Sequence, residues 1–543
     1  MAPFDTVARR SALEKAAEGI ADLLVVGAGI TGAGVAREAA LRGLSVVLVD
    51  KGDFASGTSS RSSKLIHGGI RYLEQGDIAL VREAARERKV LRRIAPHLAT
   101  PLPMTIPARS RVGLVKLSAG LWSFDRLTPG ESECGRGALG HSATSEAEPR
   151  LNRGRFVGSV AITEYVTSDA RLTLETVKSA VSAGAMAVNY AEVTRVTDVP
   201  GGLRVAVEDR SGGGSLELIC RAMVNAAGPW FDEVRALGST SSLAPMLQLT
   251  RGIHIVVPHR RLPVNGIVIL KAPDGRAVFV APREGFSYVG TTDTLYEGRP
   301  EEPGVSKEDA AYLLASLAEA FDDPPTAADI VGTWSGVRPL LRQEGKRPSE
   351  ISRRDELVVG PGPMVSVAGG KLTTYRRMAE KVMEAVLPML PARAPAKVDS
   401  STVPLSGGDA EAQRKARRLD DGCCERGLAE RLWTTYGIAA SSMLARISTE
   451  SSRAESFAGF PSLTMAEVEH FVGEEMVVSL DDLLRRRSHV AMFDTAHAVG
   501  RAGEAARILG GMLGWGQARI DAEGRAVAER GRRELAEARG ENT

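Results

Sequence analysis

Residues 21–50, ADLLVVGAGITGAGVAREAALRGLSVVLVD, run from an apolar segment through a glycine turn and an alanine-rich stretch into a second apolar segment that ends on Asp50. The succession of strand-like, turn-like and helix-like patterns predicts one βαβ unit. Gly27, Gly29 and Gly32 have the G-x-G-x-x-G spacing directly after the first apolar run. Such glycines let backbone amides approach a pyrophosphate at the positive end of a helix, and an acid closing the next strand accepts from ribose hydroxyls. The unit therefore reads as a dinucleotide site on Gly27, Gly29, Gly32 and Asp50. Three glycines alone would also suit an ordinary tight turn, but that turn has no use for Asp50.

These residues fit FAD and NAD equally. Their surroundings favour FAD: the unit opens the fold, its second strand leads into a Ser/Thr-rich loop, and another glycine turn at Gly369 and Gly370 returns late in the chain. Beyond the loop, DIALVREAARERKVLRRIAPHL predicts an amphipathic helix broken at Pro96. The alternating runs LRVAVEDR, GIHIVVP, AVFVAPR and FSYVGTT predict an antiparallel sheet over about 200–300, suited to a substrate pocket. MVSVAGGKLTTYRRMAEKVMEAV reads as strand, glycine turn and helix rejoining the first unit. LPMLPARAPAKVDSSTVPLSGG predicts a linker, and helical periodicity dominates after it.

The expected fold class is α/β, with a Rossmann-like FAD-binding domain, an antiparallel-sheet substrate domain and an all-helical C-terminal domain. The FAD parts are placed at about 20–100, 155–235 and 355–390, and the substrate parts at about 100–155 and 236–354, all within 1–395. A linker at 396–407 and a helical domain at 408–543 follow, and no catalytic residue is expected in the latter.

The 543 residues, 43% hydrophobic and 25% charged, are enough for two or three domains with cores of their own. Sixty-nine basic residues nearly balance 67 acidic ones, a net charge of +2 that gives no reason to expect a nucleic-acid partner. Cys134, Cys220, Cys423 and Cys424 fit neither a disulfide framework nor zinc spacing, so no metal is expected and a reducing cytoplasm is the simplest setting. The first residues, MAPFDTVARRSALEKAAEGIADLL, mix charges throughout and lack the apolar core of a signal peptide. No run reaches the roughly 18 to 20 apolar residues of a spanning helix. The expectation is a protein that is soluble or lies on a membrane without crossing it.

Residues 53–74, DFASGTSSRSSKLIHGGIRYLE, are far less generic, and here the chain resembles the FAD-dependent glycerol-3-phosphate dehydrogenases. VNAAGPW (224–230), RGIHIVVP (251–258), GTTDT (290–294), SGVRPL (335–340) and GGKLTTYR (369–376) look like that family's segments in its order, and DDLLRRRSHVAMF resembles its helical domain. Departures are mild: VNAAG where relatives often have VNATG, and Asp50 where glutamate is common. The resemblance implies oxidation of sn-glycerol 3-phosphate to dihydroxyacetone phosphate, with hydride passing from C2 to flavin N5 and electrons onward to membrane quinone.

A small phosphate dianion needs fixed cationic donors, and its secondary alcohol needs a proton acceptor near C2. Arg71, Tyr72, Arg338, Arg354 and Lys371 supply the substrate-binding set, though each cation alone reads as an ordinary surface charge. His254 and Arg338 are the catalytic candidates, the histidine as base or the arginine by favouring a developing alkoxide. Which of the two accepts the proton stays open in the sequence. The resemblance places Thr58, Ser59, Ser60, His67, Gly228 and Gly370 on the flavin. It places Lys371, Leu372 and Thr373 there too, through amides at a helix start near the N1 and O2 edge.

IPARSRVGLVKLSAGLWSFDRL (106–127) sets apolar and aromatic residues among Arg109, Arg111, Lys116 and Arg126, a pattern suited to shallow insertion into anionic lipid. Leu114, Leu117, Leu121, Trp122 and Phe124 are the expected membrane contacts; a helix packed on the protein's own core is the competing reading. The Ala- and Arg-rich composition suggests a bacterial source, and the resemblance implies a peripheral enzyme on the inner face of the cell membrane, acting as a homodimer. Its alternatives are a glycerol-3-phosphate oxidase making hydrogen peroxide, a flavin amine or amino-acid oxidase, and a non-catalytic flavin-binding membrane adaptor.

Overall fold

The computed structural model describes residues 4–67, 78–127, 137–342, 356–391, 396, 398–418 and 422–541, without the side chains of 124–127. The strand Ile20–Val26 stands at the centre of the first sheet. It pairs in parallel with Val46–Val49 on one side and Gly214–Asn225 on the other, and Met186–Val188 and Met364–Ala368 extend the parallel run. Parallel strands are covered on both faces, which is why they read as unbroken apolar runs. Leu23, Leu24 and Val25 accordingly lie at the bottom of the core.

The helices Ile30–Leu41, Asp169–Ser182 and Tyr375–Val386 cover one face, and Thr6–Ala17 with the hairpin strands Ala191–Val199 and Gly202–Asp209 covers the other. Strand order reverses beside Ile20–Val26, so the carboxyl edge there is the crevice in which such sheets bind ligands.

The second sheet is built around Thr100–Ala108, Gly158–Val166, Leu247–Pro258, Ile267–Lys271, Ala277–Arg283, Phe286–Gly290 and Gly332–Leu341. Its ladders are antiparallel except where Thr100–Ala108 meets Ile267–Lys271. Two expectations change here. LRVAVEDR is a strand of the first sheet, paired with Gly214–Asn225, and Gly158–Val166 is a strand of the second, so 155–235 is divided between the sheets. Alternation identifies a half-buried strand and says nothing about its neighbour.

The helix Ile78–Ile94 stops before Pro96, whose missing amide cannot continue it, and a 3-10 turn, Pro96–Leu98, follows. In the helix Arg111–Leu127, Leu114, Leu117 and Leu121 turn inward onto the core around Met104 and Val160. That corrects their expected membrane role: the three leucines serve the protein's own packing. The outward face instead carries Val112, Val115 and Trp122, which are 66%, 69% and 60% exposed. Phe124's side chain lies outside the described residues.

The C-terminal helices have a core of their own around Leu432, Trp433, Phe457, Phe471 and Leu509. They are not detached from the rest. Leu535 and Ala538, from the helix Gln517–Arg539, join the core of the second sheet, and the π-helical turn Asp482–Arg487 docks on Asp53. The stretch expected as a linker is likewise held in place, with Arg37 donating to the Ser400 and Val403 carbonyls and Leu405 N–H donating to Ile94.

Candidate active site

Gly27 follows the first strand with φ +99°, and a Cβ there would sit 2.6 Å from the Ala226 carbonyl oxygen. A Cβ on Gly32 would overlap the Gly27 carbonyl, so only glycine lets the helix approach the turn this closely. Gly29 caps the helix Ile30–Leu41 without a side chain. The Asp50 carboxylate accepts from Ala28 N–H at 2.6 Å and Gly52 N–H at 2.9 Å, which clamps the turn to the end of the second strand. Burial, only partly offset by those amides, pushes its carboxyl up to about 6.

The Ser/Thr loop braces this turn. Ser59 Oγ accepts from Ile30 N–H at 2.9 Å, satisfying one of the orphan donors of the helix start. Thr58 Oγ1 donates to the Val337 carbonyl at 2.6 Å and ties the loop to the second sheet. The Ser60 carbonyl accepts from Lys64 Nζ at 2.9 Å. The other predicted residues gather at the same carboxyl edge. Gly228 opens a turn whose Trp230 ring lies against Gly57. A Cβ on Gly370 would meet Thr31 Oγ1 at 2.9 Å, so the late glycine turn lies against the same helix start. Lys371 precedes the 3-10 turn Leu372–Thr374, which leads into the helix Tyr375–Val386, and Thr373 Oγ1 donates to the His67 carbonyl at 3.4 Å. A glycine cradle too tight for Cβ atoms, a helix N-terminus and an acid at the second strand's end together fit a dinucleotide.

Beside this crevice, Leu247–Pro258 and Gly332–Leu341 form an antiparallel ladder in which Thr250 faces Arg338 and His254 faces Trp334. The two candidates therefore project from one face. Arg338 crosses Gly252, where any Cβ would collide with its guanidinium, and donates to Thr292 O (3.1 Å), Asp293 Oδ1 (3.2 Å) and Thr291 Oγ1 (3.0 Å). The His254 ring lies over Gly290, stacks on Trp334 with centroids 4.6 Å apart, and places Nε2 2.9 Å from Ser63 Oγ. Burial first, then the charges of Arg338 and Lys64, pushes this imidazole well below its ordinary range. It is neutral at physiological pH, the form that accepts a proton.

Arg71, Tyr72 and Arg354 lie outside the described residues. Of the proposed cationic set, Arg338 and Lys371 are described. Several residues behind the site carry no sequence signal of their partnership. Lys64, fully buried, donates to Asp169 Oδ1 at 2.7 Å, and Asp169 also accepts from Ser62 Oγ at 2.7 Å. His489 approaches the same carboxylate at 3.9 Å, bringing the C-terminal region to the back of the site. Trp334 donates through Nε1 to Ser62 O at 3.1 Å, and Phe493 packs on its ring. A lysine inside SSKLIHGG and an aspartate 105 residues away reveal nothing of each other until the chain is folded.

A family model described as FAD dependent oxidoreductase matches residues 22–376, and one described as C-terminal domain of alpha-glycerophosphate oxidase matches residues 398–520. The aerobic glycerol-3-phosphate dehydrogenase of Bacillus subtilis (strain 168) is 36% identical over 490 residues, covering 87% of this chain and 88% of the relative. That of Staphylococcus saprophyticus is 34% identical over 514 residues, 91% of each chain. A solved glycerol-3-phosphate dehydrogenase from Bacillus halodurans, complexed with FAD, aligns with a TM-score of 0.80 at 31% identity and covers 98% of both chains. The resemblance carried by the quoted segments is borne out, as is the expected fold class, and the cofactor is FAD. By sequence over nearly its whole length and by structure, the chain belongs to the FAD-dependent glycerol-3-phosphate dehydrogenase family.

Proposed function

We propose that this protein oxidises sn-glycerol 3-phosphate to dihydroxyacetone phosphate and passes the electrons to a membrane quinone. The observation that carries the reading is the placement of His254, buried and neutral, on the same ladder face as the aligned cation Arg338. The glycine turns and Asp50 would hold FAD along the carboxyl edge, where it would supply the hydride acceptor. Arg338, fixed by Thr291, Thr292 and Asp293, holds positive charge against the developing alkoxide or the phosphate. His254 takes the C2 hydroxyl proton on its imidazole, whose Nε2 lies 2.9 Å from Ser63 Oγ and whose buried Nδ1 has no hydrogen-bond partner among the described residues. A guanidinium is a donor only, which favours the histidine over Arg338 as the base. The arriving dianion raises the basicity of the ring at the moment it is needed.

Among the described residues no helix is long and apolar enough to cross a membrane. Lipid contact is assigned to the outward face of Arg111–Leu127, where exposed Val112, Val115 and Trp122 stand beside exposed Arg111 and Lys116. An acceptor assay tests the account: with a soluble quinone analogue, the substrate should turn over without hydrogen peroxide accumulating. Peroxide formed in proportion to the oxygen consumed would make the protein an oxidase and remove quinone from the scheme.

A further inference from the structure

A polar cavity of about 90 Å³ opens between the second sheet and the C-terminal helices. Its walls bring Arg61 together with Arg485, Arg530 and Arg533 and with three carboxylates, Glu302, Glu534 and Glu537. Three of these arginines have carboxylate partners. Arg485 meets Glu534 at 2.7 Å, Arg530 meets the same glutamate at 3.0 Å, and Arg533 reaches Glu302 at 3.3 Å. Arg61 differs. Both its terminal nitrogens donate to the backbone carbonyl of Glu301 at 3.2 Å, and no carboxylate among the described residues lies within ion-pair distance of it. Burial, followed by the nearby charges of Arg530 and Arg485, pulls this guanidinium down to about 9.

A carbonyl accepts hydrogen bonds but returns no counter-charge, so a half-buried cation that has Arg485, Arg486 and Arg530 around it against Asp481 is held at a cost that an anion would offset. We infer that the cavity is a binding site for a small oxyanion, recognised by Arg61, the one of its four lining arginines with no carboxylate partner among the described residues. The planar guanidinium fork suits phosphate geometry, and the volume holds several waters, enough for a single oxyanion and too little for a nucleotide. Neither Arg338 nor its partners Thr291, Thr292 and Asp293 line this cavity, although Trp334, which stacks on His254, forms part of its wall. An anion here would tie the Ser/Thr loop and the strand Gly332–Leu341 to the helical region.

Inorganic phosphate is the probe. Labelled phosphate is equilibrated with the FAD-loaded holoenzyme in chloride buffer of constant ionic strength, for the wild type, Arg61→Gln, Arg533→Gln and Arg338→Ala. The wild type and Arg338→Ala should show a phosphate site that Arg61→Gln weakens about tenfold or more, and that Arg533→Gln, at the cavity rim, also weakens. Without phosphate, Arg61→Gln should leave the thermal midpoint unchanged or higher, because a crowded positive charge is removed; the rise that phosphate gives the wild type should be lost. Displacement by sn-glycerol 3-phosphate at the Arg61-dependent site would mark a phosphomonoester as its natural ligand, and retention would mark free phosphate. Phosphate affinity untouched by both the Arg61 and Arg533 substitutions, or a midpoint rise that survives in Arg61→Gln, would overturn the site.

Discussion

Arg487 holds Asp53 through two parallel hydrogen bonds, Nη1 to Oδ2 at 2.7 Å and Nη2 to Oδ1 at 3.0 Å, across 434 residues of chain. Arg486 Nε adds a third at 2.6 Å and Asn189 Nδ2 a fourth at 3.0 Å. Burial opposes ionisation, but Arg487 and Arg486 outweigh it and hold the Asp53 carboxyl below its ordinary value. Asp53 lies three residues beyond Asp50, so the C-terminal region anchors the loop that follows the acid proposed to bind the ribose. Removing one partner leaves a buried charge uncompensated. Arg487→Ala should therefore cost about 3 to 5 kcal/mol in denaturant unfolding and release FAD on gel filtration. Full stability with retained flavin would show that the pair does not anchor the loop.

The Asp50 carboxyl, pushed up to about 6, must be ionised to accept from ribose hydroxyls without losing its grip on the turn. Ligand binds the carboxylate form, so affinity is full above that value and falls as pH drops through it. FAD affinity of the apoprotein, followed by flavin fluorescence, should decline by up to about tenfold per pH unit below about 6. Asp50→Asn should bind more weakly and with no such slope between about pH 5 and pH 8.

A Cβ at position 252 collides with the Arg338 guanidinium and with its partner Thr291 Oγ1, so Gly252→Ala displaces that cation. Its flavin reduction rate should fall about 100-fold or more, and that of Arg338→Ala by a similar factor, with flavin spectra unchanged. His254→Ala should lose about 100-fold to 10,000-fold in the same stopped-flow measurement. Near-normal reduction in Arg338→Ala would remove that residue from the site.

Much of the nucleotide half is legible in the sequence because its signals are local. Gly27, Gly29, Gly32 and Asp50 lie within a single βαβ unit, and their spacing carries the chemistry. Partnership across the chain is not legible. Three successive arginines at 485–487 look like a solvated surface, yet all three are buried against acids, one of them Asp53. The helix Arg111–Leu127 shows the same limit: the pattern marks apolar positions but not which of them the second sheet covers, and Leu114, Leu117 and Leu121 took the inner side.

That outer face yields its own prediction. Val115→Glu and Trp122→Glu each place a charge where lipid contact is assigned, and each should weaken co-sedimentation with anionic vesicles by about tenfold. Activity with a soluble acceptor should be unchanged in both. Equal sedimentation of wild type and both variants would remove this helix from the membrane contact.

The most direct test of the account is an anaerobic titration of the purified flavoprotein with sn-glycerol 3-phosphate, following oxidised flavin absorbance near about 450 nm. Stoichiometric bleaching is the predicted result of the proposed substrate site, in which Arg338 and His254 share one ladder face. A yellow protein that glycerol 3-phosphate leaves unbleached, under conditions where dithionite reduces it, would contradict the proposed substrate while leaving the flavin fold intact.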